Sequence, residues 1–169
     1  HHYGMVLAGA EVVYLDSYPL NEYSMYGAVP LREIKKQLLG LKAAGKLDRV
    51  RMLLLTNCTF DGIVYNVERV MEECLAIKPD LIFLWDEAWF AFARFGPTYR
   101  QRTAMNAANM MRERLKTPAH LESYTAQQEA LQDADTETLL NTRLIPPPAC
   151  ESMPRNRRIR RSRPCVRAR

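Results

Sequence analysis

A run of five apolar residues, Leu81-Ile82-Phe83-Leu84-Trp85, is bounded by Pro79-Asp80 on one side and Asp86 on the other. It is too short to cross a membrane and has no polar face to offer to water. A parallel strand covered on both sides by helices makes that demand. Glu11 to Leu15 and Arg49 to Leu55 are two further strand-like runs upstream. Between them Pro30 opens a helix at its first position, and Leu31, Ile34, Leu38 and Leu41 recur at three- and four-residue steps until Gly45. Val67, Val70, Met71, Cys74 and Leu75 give a second helix its buried side before Pro79-Asp80 stops it. Strand, helix, strand, helix, strand predicts an α/β fold, a parallel sheet wound with helices through right-handed crossovers. Ligands in such sheets bind beyond the carboxyl ends of the strands, which brings Thr56 to Gly62 and Asp86 to Trp89 side by side at one active edge.

From Tyr99 to Glu129 the chain turns polar and helix-forming, and Thr125 to Leu140 is predicted as helix. Pro146-Pro147-Pro148 is a stiff break. The 169 residues suffice for one globular domain, assigned to residues 1–148, with 149–169 as a separate tail. There is no internal repeat, no apolar run of membrane length and no charged-then-apolar leader, which points to a cytoplasmic protein without a membrane partner. Cys58, Cys74, Cys150 and Cys165 have neither zinc-site nor disulfide-framework spacing and read as free thiols. No metal site is expected.

The net charge of +5 is unevenly placed. Residues 149–169 hold eight arginines and one acid, Glu151, which exceeds the net charge of the whole chain, so residues 1–148 are mildly acidic. Such a tail suits an RNA-binding arm or a localisation signal.

Two loops carry the chemistry. In Trp85-Asp86-Glu87-Ala88-Trp89 an acid ends an apolar strand and is followed by a small residue and an aromatic. A carboxylate at the mouth of a sheet needs a partner, because burying an unpaired charge is costly. A pyridinium nitrogen is one such partner: the carboxylate keeps the ring protonated, and the ring then withdraws electrons from a carbanion. Capping the next helix, or binding Mg²⁺, are the alternatives, and on composition alone the cap is favoured. The other loop, TNCTFDG, offers hydroxyls, an amide, an aspartate and a turn-permitting Gly62. Neither loop contains GxGxxG or GxxxxGK[ST], so no dinucleotide or P-loop fingerprint is present.

TNCTFDGIVYN followed by LWDEAWFAFARFGPTY resembles the paired signature of the ornithine/lysine/arginine decarboxylases, and HHYGMVLAGAEVVYL resembles the segment after that family's ring-stacking histidine. The resemblance covers residues 1 to about 148. It implies a partial large domain of the pyridoxal-phosphate (PLP) dependent, aspartate aminotransferase-like fold type I. It also implies a small basic amino acid as substrate and a homodimer or higher homo-oligomer in the parent enzyme. Residue by residue, Asp86 matches the aspartate that pairs with the pyridine nitrogen, Ala88 the residue packed on the ring and Trp89 a pocket aromatic, while Thr59 lies in the cofactor-side loop. His1 and His2 fall after the stacking histidine, read as frayed terminal residues, and take no catalytic role. The phosphate-binding segment would precede residue 1.

The family's Ser-Thr-His-Lys element, whose lysine holds PLP as a Schiff base, would follow the proline run, where the arginine tail stands instead. A shift of reading frame accounts for this. Cys150 to Arg161 can be encoded with synonymous codons chosen so that regrouping from the last base of each codon spells Arg-Val-Tyr-Ala-Thr-Gln-Ser-Thr-His-Lys-Thr, with the lysine straddling Ile159 and Arg160. The first two bases of the Met153, Asn156 and Ile159 codons leave no freedom in that result. The tail's charge is then a by-product, a nucleic-acid partner loses its main support, and residues 149–169 are expected to be disordered. The resulting expectation is a PLP-binding decarboxylase fragment with no catalytic residue of its own; the alternatives are a PLP-binding pseudoenzyme module or an RNA-binding protein acting through the tail. Lys78, at the amino end of its strand, and Lys116, in a polar helix, do not replace the missing amine.

Overall fold

The computed structural model describes residues 1–148; the expectations for residues 149–169 fall outside the described residues. A short helix, α1 (His2–Leu7), opens the chain, and an antiparallel pair follows, β1 (Tyr18–Leu20) with β2 (Met25–Ala28). Next come α2 (Leu31–Ala43), β3 (Met52–Thr56), α3 (Val67–Ile77) and β4 (Ile82–Asp86). Four helices complete the order: α4 (Pro97–Arg100), α5 (Ala104–Arg114), α6 (Pro118–Ala130) and α7 (Thr136–Asn141). Among the described residues no helix is long and apolar enough to cross a membrane.

β3 and β4 pair in parallel, in register from Met52↔Ile82 to Thr56↔Asp86, with α3 as their crossover. The chain is therefore α/β, with the parallel pair that the alternating pattern predicts. The sheet is narrower than expected. Glu11 to Leu15 belongs to no strand, and Val13 and Tyr14 stand 59% and 68% exposed. β-branched composition favours extended backbone, but a strand also needs a neighbour whose amides and carbonyls it can use. The pairing falls instead on Tyr18–Leu20, three residues further along the chain. Gly27 makes it possible: at φ +75° a Cβ there would lie 1.7 Å from the Tyr18 carbonyl oxygen.

Element edges differ from the sequence pattern for local reasons. Pro30 is the N-cap of α2 in extended conformation, with Leu31 the first helical residue. The second predicted strand starts at Met52, because Leu47–Arg49 winds into a 3₁₀ turn. The helix expected over Thr125 to Leu140 is two helices: α6 ends at Ala130, and Asp135 restarts the chain by accepting the Thr138 N–H at 2.8 Å as N-cap of α7. Aspartate competes for backbone amides this way, which suits a cap better than a helix interior. Lys116 lies in the turn between α5 and α6 rather than within a helix.

The core gathers Ile34, Leu38 and Leu39 of α2, Val70, Met71 and Cys74 of α3, and Leu55, Phe83 and Trp85 of the parallel pair. Ala104, Ala107 and Ala108 let α5 pack close against α3. One charged residue joins them. Lys35, 2% exposed, takes a place on the buried face of α2 while Leu41 stays half-buried. Its ammonium donates to Glu73 Oε2 at 2.7 Å, the Leu140 carbonyl at 3.1 Å and the Thr142 carbonyl at 2.7 Å, which uses all three of its protons. This ties the end of α7 to the helices that cover the sheet.

Candidate functional site

The carboxyl ends of β3 and β4 are level, since Thr56 is the register partner of Asp86. The Asn57 N–H donates to the Asp86 carbonyl at 2.8 Å and carries the ladder one step further. The two strand-end loops thus leave the sheet together, as the sequence predicts. Asn57 is fully buried, and its amide nitrogen donates to Glu87 Oε1 at 2.7 Å and to the Arg102 carbonyl at 3.2 Å. Its amide oxygen accepts the Tyr65 N–H at 3.1 Å, and the same Glu87 oxygen accepts the Ala104 N–H at 2.8 Å. Asn57 and Glu87 form a buried strut that holds both loops to the start of α5. Neither was singled out from sequence, although each is a polar residue directly beside a strand end.

Asp86 is the last residue of β4, with its side chain 27% exposed. Its Oδ1 accepts the Ala88 N–H at 3.1 Å and bends the chain into a tight turn. It does not cap a helix: the next helical turn, Ala91–Arg94, has Phe90 as N-cap and no side-chain cap bond. Its other oxygen, Oδ2, faces His1 Nε2 at 3.4 Å. His2 is held as well, with its ring stacked on Tyr14 and hydrogen-bonded to the Tyr14 hydroxyl. The expectation that both histidines are frayed is therefore corrected. His1 was missed because a contact between positions 1 and 86 leaves no trace in local pattern.

Thr59 sits in a self-braced loop: its N–H donates to the Ile63 carbonyl at 3.0 Å, and its hydroxyl accepts the Ile63 N–H at 3.2 Å. Cys58 at φ +68° and Gly62 at φ +79° make the tight reversals on either side of it. Asp61 reaches out to accept the Tyr26 N–H at 2.8 Å. Trp89, largely exposed, lies against Phe60 with ring centroids 5.1 Å apart, so an aromatic pair bridges the two loops. Ala88 is exposed beside it. Beneath the site Trp85 is buried edge-on to Tyr65, and its indole N–H has no hydrogen-bond partner among the described residues. Burial raises the Tyr65 hydroxyl above its usual range, while the Val29 N–H that it accepts works against the rise. Among the described residues no cluster of three or more His, Cys, Asp or Glu side chains is placed to hold a metal.

Sequence comparison matches residues 1–136 to the family described as "Orn/Lys/Arg decarboxylase, major domain". The chain belongs to that family. Lysine decarboxylase LdcA of Pseudomonas aeruginosa is 31% identical over 112 residues, which cover 63% of this chain and 14% of LdcA. The biodegradative arginine decarboxylase of Escherichia coli is 32% identical over 109 residues, covering 60% of this chain and 14% of that enzyme. The chain thus spans about one seventh of the curated decarboxylases it matches. No solved structure matches it significantly. Family membership joins the two loops to one major domain, and within it Asp86 ends a parallel strand that is covered on one face, through Phe83 and Trp85, and not on both as its apolar run predicts, since Ile82 is exposed.

Proposed function

We propose that the chain is a fragment of a PLP-dependent decarboxylase of a basic amino acid, from the large domain of fold type I, and that Asp86, Ala88, Trp89 and Thr59 are its share of the cofactor site. The observation that carries this reading is the place of Asp86. It ends one strand of a parallel pair, beside buried Trp85, with one oxygen fixed by the Ala88 amide and the carboxylate still partly exposed. That environment suits a cationic ring nitrogen, which needs an ionised acid in a fixed direction. When bound, PLP supplies the electron-withdrawing ring that takes up the electron pair left as carbon dioxide departs. The chain's own groups do the rest of the work. Asp86 holds the proton at the ring nitrogen, exposed Ala88 leaves room for a flat group to approach, Trp89 with Phe60 shields one side from water, and the Thr59 hydroxyl keeps its proton available to donate to a polar ligand atom.

The nucleophilic amine is missing from this set. Lys78 is buried at the far end of β4 and donates to Asp80 at 2.7 Å, and Lys116 lies in an exposed turn paired with Glu113 at 2.8 Å. Neither is at the active edge, and on this reading the chain alone is expected to form no Schiff base and to release no carbon dioxide. Three proteins test this: the chain as it stands, the chain with its frame restored after Pro148, and the restored chain extended upstream through a phosphate-binding segment. Schiff-base absorbance and carbon dioxide release from lysine, ornithine and arginine are expected in the third alone. Release by the unaltered chain would overturn the missing-lysine account, and inactivity of all three would overturn the PLP reading.

A further inference from the structure

Asp86 has a neighbour that neither the strand pattern nor the family match assigns. A carboxylate has four lone-pair positions and a broad torsion about its last bond, so one amide contact leaves it free to swing. Ala88 supplies that one contact, on Oδ1. His1 Nε2 stands 3.4 Å from Oδ2, on the other side of the group. His1 is itself anchored: its carbonyl accepts the Met5 N–H at 3.1 Å as the N-cap of α1, and His2 beside it is fixed on Tyr14. The imidazole is half-exposed, which leaves room for it to approach or withdraw.

We propose that His1 is a positioning residue that holds the Asp86 carboxylate from its far oxygen, so that the remaining lone pairs point at the ring nitrogen of a bound pyridine. This rests on the PLP reading above for its purpose but not for the contact itself. With the His1 ring against Oδ2 and the Ala88 N–H on Oδ1, the carboxylate is contacted from both sides and its torsion is restricted.

Two measurements test it separately. In the cofactor-free chain, ¹⁵N NMR of the His1 imidazole, assigned with the help of a His2→Gln variant, is expected to change when Asp86→Asn is introduced. Identical ring signals in the two proteins would overturn the contact. Equilibrium dialysis with PLP, in the frame-restored and upstream-extended protein, then compares the parent with His1→Ala, His1→Gln, Asp86→Asn and the double variant His1→Ala/Asp86→Asn. Loss of one half-exposed donor is expected to weaken PLP binding roughly fivefold, with His1→Gln recovering most of it. Because His1 acts through Asp86, His1→Ala should cost nothing further in the Asp86→Asn background. An equal cost in both backgrounds, or tighter binding by His1→Ala, would overturn the positioning role. If the NMR contact holds while the frame-restored, upstream-extended protein takes up no PLP, the cofactor reading fails and the His1–Asp86 contact stands.

Discussion

Asn57 and Glu87 meet 2.7 Å apart in the interior, one from the loop after β3 and one from the loop after β4, and neither has water to fall back on. Asn57→Ala would leave the Tyr65 N–H and the Glu87 carboxylate each short of a partner. A loss of about 3 kcal/mol in unfolding free energy is expected, since each unsatisfied buried group costs about 1–3 kcal/mol. Asn57→Asp should be worse, because it sets a second carboxylate against the first. Urea unfolding followed by far-UV circular dichroism ranks the three proteins, and an Asn57→Asp variant as stable as the parent would show that the strut is not buried as described.

Lys35 and Glu73 make the other buried polar centre, at 2% and 1% side-chain exposure, with Arg69 on the second Glu73 oxygen at 2.7 Å. Lys35→Met removes the buried cation, leaves Glu73 with Arg69 alone and strands two backbone carbonyls, so a loss of about 3 kcal/mol is expected. Lys35→Met/Glu73→Leu removes both charges and should lose less than the sum of the single variants. A double-mutant cycle by chemical denaturation checks this.

These two centres mark where sequence reasoning stops. Leu81 to Trp85 and the periodic faces of α2 and α3 were legible because hydrophobic period is a local property, and it leads to the parallel pair and the level strand ends. Glu11 to Leu15 misled because a strand is defined by its partner, and no composition names one. Lys35 escaped because a helix face is read by its apolar residues, while its own partners lie near positions 73 and 140. Of the proposed site, Asp86, Ala88, Trp89 and Thr59 could be placed in the two strand-end loops from sequence, whereas His1, Asn57 and Glu87 make contacts that only the folded chain brings together.

Cysteine chemistry should separate two thiols. Burial, reinforced by the neighbouring Glu73 carboxylate, pushes the Cys74 thiol up to about 12, whereas Cys58 is half-buried in the active-edge loop. The thiolate is the reactive form, so Cys74 reacts with iodoacetamide only through unfolding while Cys58 reacts in the native state. Peptide mass spectrometry after brief alkylation near pH 8 is expected to show label on the Cys58 peptide and none on the Cys74 peptide until urea is added.

Acid should release a contribution from Asp80. The hydrogen bond from Lys78 holds its carboxyl below the usual aspartate range. A depressed folded value means that the unfolded chain takes up the proton first, so the contribution is present above the ordinary aspartate value of about 3.9 and is lost as pH falls through the folded value. The stability gap between the parent and Asp80→Asn should therefore be widest near neutrality and close on acidification. A gap that stays constant from neutral pH into the acid range would show that Asp80 acts without its charge.

The last prediction isolates the charge of Asp86 from its shape, in the frame-restored and upstream-extended protein where turnover is expected. Asp86→Asn keeps an oxygen for the Ala88 N–H, so the turn after β4 and the thermal midpoint should stay close to those of the parent. What it loses is the negative charge that would keep a pyridine nitrogen protonated, and with it the electron demand that lowers the barrier to carbon dioxide loss. An electrostatic contact of about 3 kcal/mol in the transition state corresponds to about a hundredfold in rate. Carbon dioxide release should thus fall by about that factor at saturating substrate, with the fall in kcat rather than KM, because the contact strengthens as charge develops. Asp86→Ala removes both charge and turn, and should lose stability as well as rate. If Asp86→Asn releases carbon dioxide at the parent rate, the acid at the end of β4 serves the fold alone, and the cofactor must be held from another edge of the domain.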